Sequence, residues 1–219
     1  MNNKINIILK RLALFIMYCF LICEVRLAES PQLTSYLIVP NLRVGAITPR
    51  TSESELQRVY GRRNVRRAKV EIGEGERQSG AVIYPDDPAK TIEVIWKDVH
   101  RRRHPERIQL TGKQSVWRTR QGISLGTSLK ELERINGRPF VLMGFGWDYA
   151  GTVVSWNGGE LEKEFEKGGR ITLRLDGSNH EEEGKVAGEQ DFSSHHRVMQ
   201  RINPKVYQII VTFPEGQWH

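Results

Sequence analysis

The chain has 219 residues, 33 Lys and Arg against 26 Asp and Glu, a formal net charge of +7, and two cysteines. Both cysteines, Cys19 and Cys23, lie in the first 28 residues, so a chain processed after Ala28 can use neither thiol catalysis nor cysteine-ligated zinc, and must fold on core packing alone. Processing would also remove four basic residues and one acidic residue, leaving 29 against 25, a mild bias that does not by itself demand a polyanionic partner.

Lys4, Lys10 and Arg11 precede the apolar run "LALFIMYCFLIC" from Leu12 to Cys23. A basic start followed by an apolar segment shorter than the roughly 20 residues of a membrane span predicts a signal peptide over 1–28. An uncleaved anchor is the lesser reading. Lipoprotein anchoring at Cys23 is disfavoured, because "FLI" puts no small residue directly before the cysteine. No later stretch is long and apolar enough to span a bilayer, and the 191 residues that follow suffice for one domain or two small packed ones.

Residues 29–45 form a lead-in with an apolar run at Tyr36 to Val39. The first module, 46–106, opens on "TSESELQRVYGR": Ser52 and Glu55 make a capping box, Leu56, Val59 and Tyr60 a buried stripe, and Gly61 a stop. Strands are predicted at Val65 to Ile72, Gly80 to Tyr84 and Thr91 to Trp96, the last as the alternating "TIEVIW". The second module, 107–178, begins with strands at Arg107 to Leu110 and Ser115 to Thr119. It then repeats the helix at an offset of 76, with Ser128, Glu131, Leu132, Ile135 and Gly137 at the corresponding places. Seven of the twelve positions from Thr51 to Arg62 are identical in Thr127 to Arg138, which predicts an internal duplication.

After this helix, strands are predicted at Phe140 to Gly146, Thr152 to Trp156 and from Arg170 onward. Residues 179–219 then supply a polar loop, a short segment around Phe192 to Ile202 and a terminal strand, Val206 to Phe213. The predicted fold is α+β: two duplicated helix-plus-antiparallel-sheet modules sharing or joining a sheet, because neither helix can bury its apolar face alone.

The phrase "GISLGTSLKELERINGRP", residues 122–139, resembles the signature of the small BamE-like and SmpA/OmlA-like envelope modules. The tandem arrangement resembles the β-lactamase-inhibitory protein fold, in which two such units combine into one concave sheet. Module one departs at Arg63, where module two has Pro139. The resemblance implies a protein-binding or accessory role in the bacterial envelope, with another envelope or secreted protein as partner. It transfers no binding residue, because the shared positions are caps and core.

The candidate binding surface is Trp147, Asp148, Tyr149 and Trp156 of the glycine-rich hairpin, together with Arg62, Arg66 and Arg102 from two basic clusters. Exposed aromatics anchor interfaces, and a turn is where they would face solvent. The competing reading packs the aromatics into the core and uses the arginines to complement a helix end. For an exported chain the arginines point to anionic lipid or glycan, and nucleic acid is disfavoured. No cofactor or metal site is predicted: His100 and His104 stand four apart, but among arginines and before Pro105, and "NHEEEG" lacks the spacing of an oxygen cage. No phrase for nucleophilic catalysis occurs. The enzymatic alternative is a secreted hydrolase or glycan-acting protein using carboxylates of the sheet face.

Overall fold

The computed structural model describes residues 35–165, 170–177 and 180–213. The expected signal segment, the first residues of the lead-in and the chain after Phe213 lie outside them. Ser52 starts helix α1 (Glu53–Tyr60) as the sequence predicts: its Oγ accepts from the N–H of Glu55, and Glu55 accepts from the N–H of Ser52 at 2.7 Å. Helix α2 (Leu129–Asn136) has the same start, with Ser128 Oγ accepting from the N–H of Glu131. It stops at Gly137, whose φ of 75° is left-handed and whose N–H donates to Glu133. Gly61 differs, with φ 88° and ψ 138°, because the chain turns at once into a single 3₁₀ turn, Arg62–Asn64.

From that turn a meander runs through β3 (Val65–Gly73), β4 (Glu76–Ile83), β5 (Ile92–Asp98) and β6 (Arg103–Thr111). Two strands of the second module, β10 (Arg170–Asp176) and β12 (Lys205–Thr212), complete this sheet in the order β10-β12-β6-β5-β4-β3, with every neighbour antiparallel. Strand β6 runs across the expected boundary at 106/107 and closes the first module, β12 from the terminal segment closes the second, and the β6–β12 pairing joins the two. One row of paired residues, Ala81, Val94, Ile108, Val211 and Ile171, crosses that seam, and each is buried. Leu56 of α1 and Leu132 of α2 are buried in the same core, each burial contributing roughly 1.5–3 kcal/mol. The α+β fold of two helix-plus-sheet modules joined through one sheet is therefore what the chain adopts.

The plan repeats at atomic level. The N–H of Glu53 donates to the carbonyl of Arg102 and that of His104 to Thr51, at 2.9 and 3.1 Å. In module two the N–H of Leu129 donates to Pro204 and that of Val206 to Thr127, at 2.8 and 2.9 Å. Each pair ties the start of a helix to the start of the last strand of its module.

Module two nevertheless departs from a continuous meander. Its short strands β8 (Val141–Met143) and β9 (Val153–Ser155) form a separate sheet with β11 (Asp191–Ser193), in the order β11-β8-β9. An isolated bridge between Thr152 and Arg174 links the end of this sheet to β10. Between β9 and β10 lies α3 (Glu160–Phe165), and α4 (Arg197–Ile202) precedes β12. The lead-in contributes β1 (Leu37–Val39) and β2 (Arg43–Val44), and β1 pairs in parallel with β7 (Arg118–Thr119). Ser115 to Trp117 of the predicted strand there lie outside any ladder. Among the described residues no helix is long and apolar enough to cross a membrane.

Candidate functional site

Gly144 and Gly151 serve tight packing, whereas Gly146 meets open space. A Cβ on Gly144 would stand 2.6 Å from the carbonyl oxygen of Gly188, and one on Gly151 would stand 1.9 Å from that of Leu175. The loop is closed by Ala150 N–H donating to Trp147 and Gly151 N–H donating to Gly144. Phe145 and Trp156 point inward: Trp156 is 3% exposed and lies against Phe140 and Phe165 at ring distances of 5.1 and 5.8 Å. Trp156 is therefore a core residue and not part of the expected binding surface, since its strand end packs beneath α2 and α3.

Trp147, Asp148 and Tyr149 do reach the surface. Trp147 is half-buried, with Nε1 donating to the carbonyl of Gly144 and its ring edge-on to Tyr149 at 5.4 Å. Tyr149 is 45% exposed, and its hydroxyl donates to the Glu74 carboxylate at 2.6 Å. That bond, with the negative charge of Glu74 beside it, holds the phenol above its ordinary range. Glu74 occupies the β3–β4 turn at φ 52°, so the hairpin tip of module one meets the aromatic loop of module two. Arg174 supports the loop from below: it donates to the carbonyl of Asp148 and to Gln208, and stacks over Tyr207 at 5.6 Å.

The arginines divide differently from their sequence order. Arg62 is exposed, and Arg66 pairs with Asp86 at 3.2 Å on the surface. Arg102 instead meets Arg67, from the other cluster, on one buried carboxylate. Glu53 is 5% exposed; its Oε1 accepts from Arg67 Nε at 2.7 Å, while its Oε2 makes an ion-pair contact with Arg102 Nε whose geometry is not that of a hydrogen bond. Sequence reasoning missed Glu53. The available signal was its departure from the repeat, since the equivalent residue of α2 is the fully buried Leu129.

Beside this ion pair a cleft of about 410 Å³ opens between Arg67, Lys69, Trp96, Val99 and Arg102. Arg62, Arg66 and the aromatic loop are not part of its lining. Lys69 Nζ donates to Ser79 Oγ at 2.9 Å, while Trp96 is fully buried and its Nε1–H has no acceptor among the described residues.

The remaining polar groups engage one another. His195 Nδ1 stands 3.2 Å from Glu133, and Glu182 binds Lys185 and Arg201, which hold its carboxyl below the ordinary range. Among the described residues no three His, Cys, Asp or Glu side chains are grouped to hold a metal ion. On the sheet face, Glu93 accepts from Gln109 Nε2 at 2.8 Å. No protein-family model, curated protein or solved structure matches this chain.

Proposed function

We propose that the chain is an exported, non-enzymatic binding or accessory protein of the bacterial cell envelope, recognising another protein through the rim formed by Trp147, Asp148, Tyr149 and Glu74. The observation that carries this reading is the Tyr149 to Glu74 hydrogen bond, which unites loops from both modules in one surface. A half-exposed tyrosine supplies large contact area at low entropic cost, and its ring is already fixed by Trp147 and its hydroxyl by Glu74. The signal-like segment and the resemblance to tandem envelope modules support the location.

Fractionation of cells carrying the tagged chain tests export. Recovery from the envelope or periplasm without residues 1–28 is expected, and purely cytosolic recovery with them intact overturns it. Size fractionation of the gently solubilised envelope tests binding. The chain should elute in a complex that Tyr149→Arg dissolves; elution of the unsubstituted protein as a free chain contradicts the reading.

A further inference from the structure

We propose that the cleft beside Glu53 is a binding site for a phosphomonoester, held by Arg67, Arg102 and Lys69. This goes beyond the rim described above and uses none of its residues. Both arginines reach Glu53 through Nε, so the carboxylate fixes each guanidinium from the side. Their terminal nitrogens take no other acceptor among the described residues, which leaves two forks of the kind that grips phosphate oxygens. Two arginines and Lys69 against one glutamate leave a local charge of about +2, matching a phosphomonoester, which carries close to two negative charges near neutrality.

The repeat supplies an internal control. At the same backbone junction module two has Leu129 and Pro204, so tying helix to strand requires neither a carboxylate nor an arginine. Module one buries a charge there that the architecture does not need, and the consequence of that charge is the orientation of two cations at the mouth of a cleft. The cleft is far larger than a phosphate alone, and Ala68 and Val99 give its wall an apolar portion for the organic part of the ester.

Phenyl phosphate, titrated into the ¹⁵N-labelled full chain, tests the site. The indole signal of Trp96 and the Nε signals of Arg67 and Arg102 should shift saturably. Arg67→Gln and Arg102→Gln should each weaken binding by about tenfold or more. Benzoate, a monoanion, should bind more weakly. If either arginine variant unfolds, Lys69→Gln carries the test, because Lys69 lies outside the ion pair, and it too should lower affinity. Vesicles containing phosphatidate distinguish the source: displacement of phenyl phosphate from the protein assigns a lipid headgroup, and no displacement assigns a soluble ester. Absence of a saturable shift, or affinity unchanged in the Arg67→Gln, Arg102→Gln double variant, overturns the proposal.

Discussion

Glu53 and Arg102 are bonded twice, through the Glu53 N–H to the Arg102 carbonyl and through carboxylate to guanidinium, whereas Leu129 and Pro204 keep only the backbone half of that junction. A buried ion pair recovers its desolvation cost only in part, and apolar replacement is often neutral or stabilising. Glu53→Leu, which copies module two, should therefore leave the urea midpoint unchanged or raise it. Replacing Arg67 and Arg102 together with alanine strands the carboxylate and should cost about 3 kcal/mol, the low end for breaking a buried pair, because only the carboxylate is buried while Arg67 is mostly exposed and Arg102 partly so.

Tyr60 links the end of α1 to the first residue of its module by accepting the Ala46 N–H at 3.1 Å, and burial pushes its phenol up to about 12. Tyr60→Phe leaves that N–H without an acceptor and should destabilise the protein by about 1–3 kcal/mol in chemical denaturation. The folded value lies above the unfolded one near 10, so this group's contribution is complete below pH ~10 and is lost as pH rises toward 12. The phenylalanine variant should show a smaller loss of stability in that window.

Gly151 and Gly137 both have positive φ, 66° and 75°, but only Gly151 has a backbone oxygen where a Cβ would be. Gly137→Ala meets open space and should cost about 1 kcal/mol, the conformational penalty alone. Gly151→Ala adds a collision with Leu175 and should cost about 3 kcal/mol or more, with the loss of the Thr152 to Arg174 bridge. Thermal melts of the two variants separate these terms.

Ser52→Ala should weaken the protein by about 1 kcal/mol, and Ser128→Ala by no more, since α1 uses both arms of its capping box. The Glu55 carboxyl is held low first by the Ser52 N–H and then by its hydroxyl. A lowered folded value means that this stabilisation is present above the unfolded pKa and is lost as pH falls through the folded one. The acid limb of a stability profile should therefore shrink in Glu55→Gln.

Much of this architecture was legible because its signals are local. Caps, glycine stops and alternating strands at Val65, Thr91 and Val206 each depend on a few neighbouring residues, and the structure places elements there. What was not legible depends on distant partners. The antiparallel seam between Ile108 and Val211 joins residues about a hundred apart, and no local pattern selects it over another pairing. Helix α3 places only Leu161 and Phe165 in the core, too short a stripe to read as periodic. The same applies to the sites. Composition flagged the aromatic loop, but whether Trp156 or Tyr149 faced outward was decided by the packing of Phe140 and Phe165 and by Glu74 of the other module. The buried Glu53 was visible only as an exception to the repeat.

The central functional claim is that the Glu74 to Tyr149 rim is one contact surface. Site-specific photo-crosslinking in intact cells tests it most directly, with the reactive residue placed in turn at Glu74, Tyr149 and the exposed Lys130 of α2. The first two positions should capture the same envelope protein, and Lys130 should not. Capture of different proteins from Glu74 and Tyr149, or equal capture from Lys130, would contradict that claim.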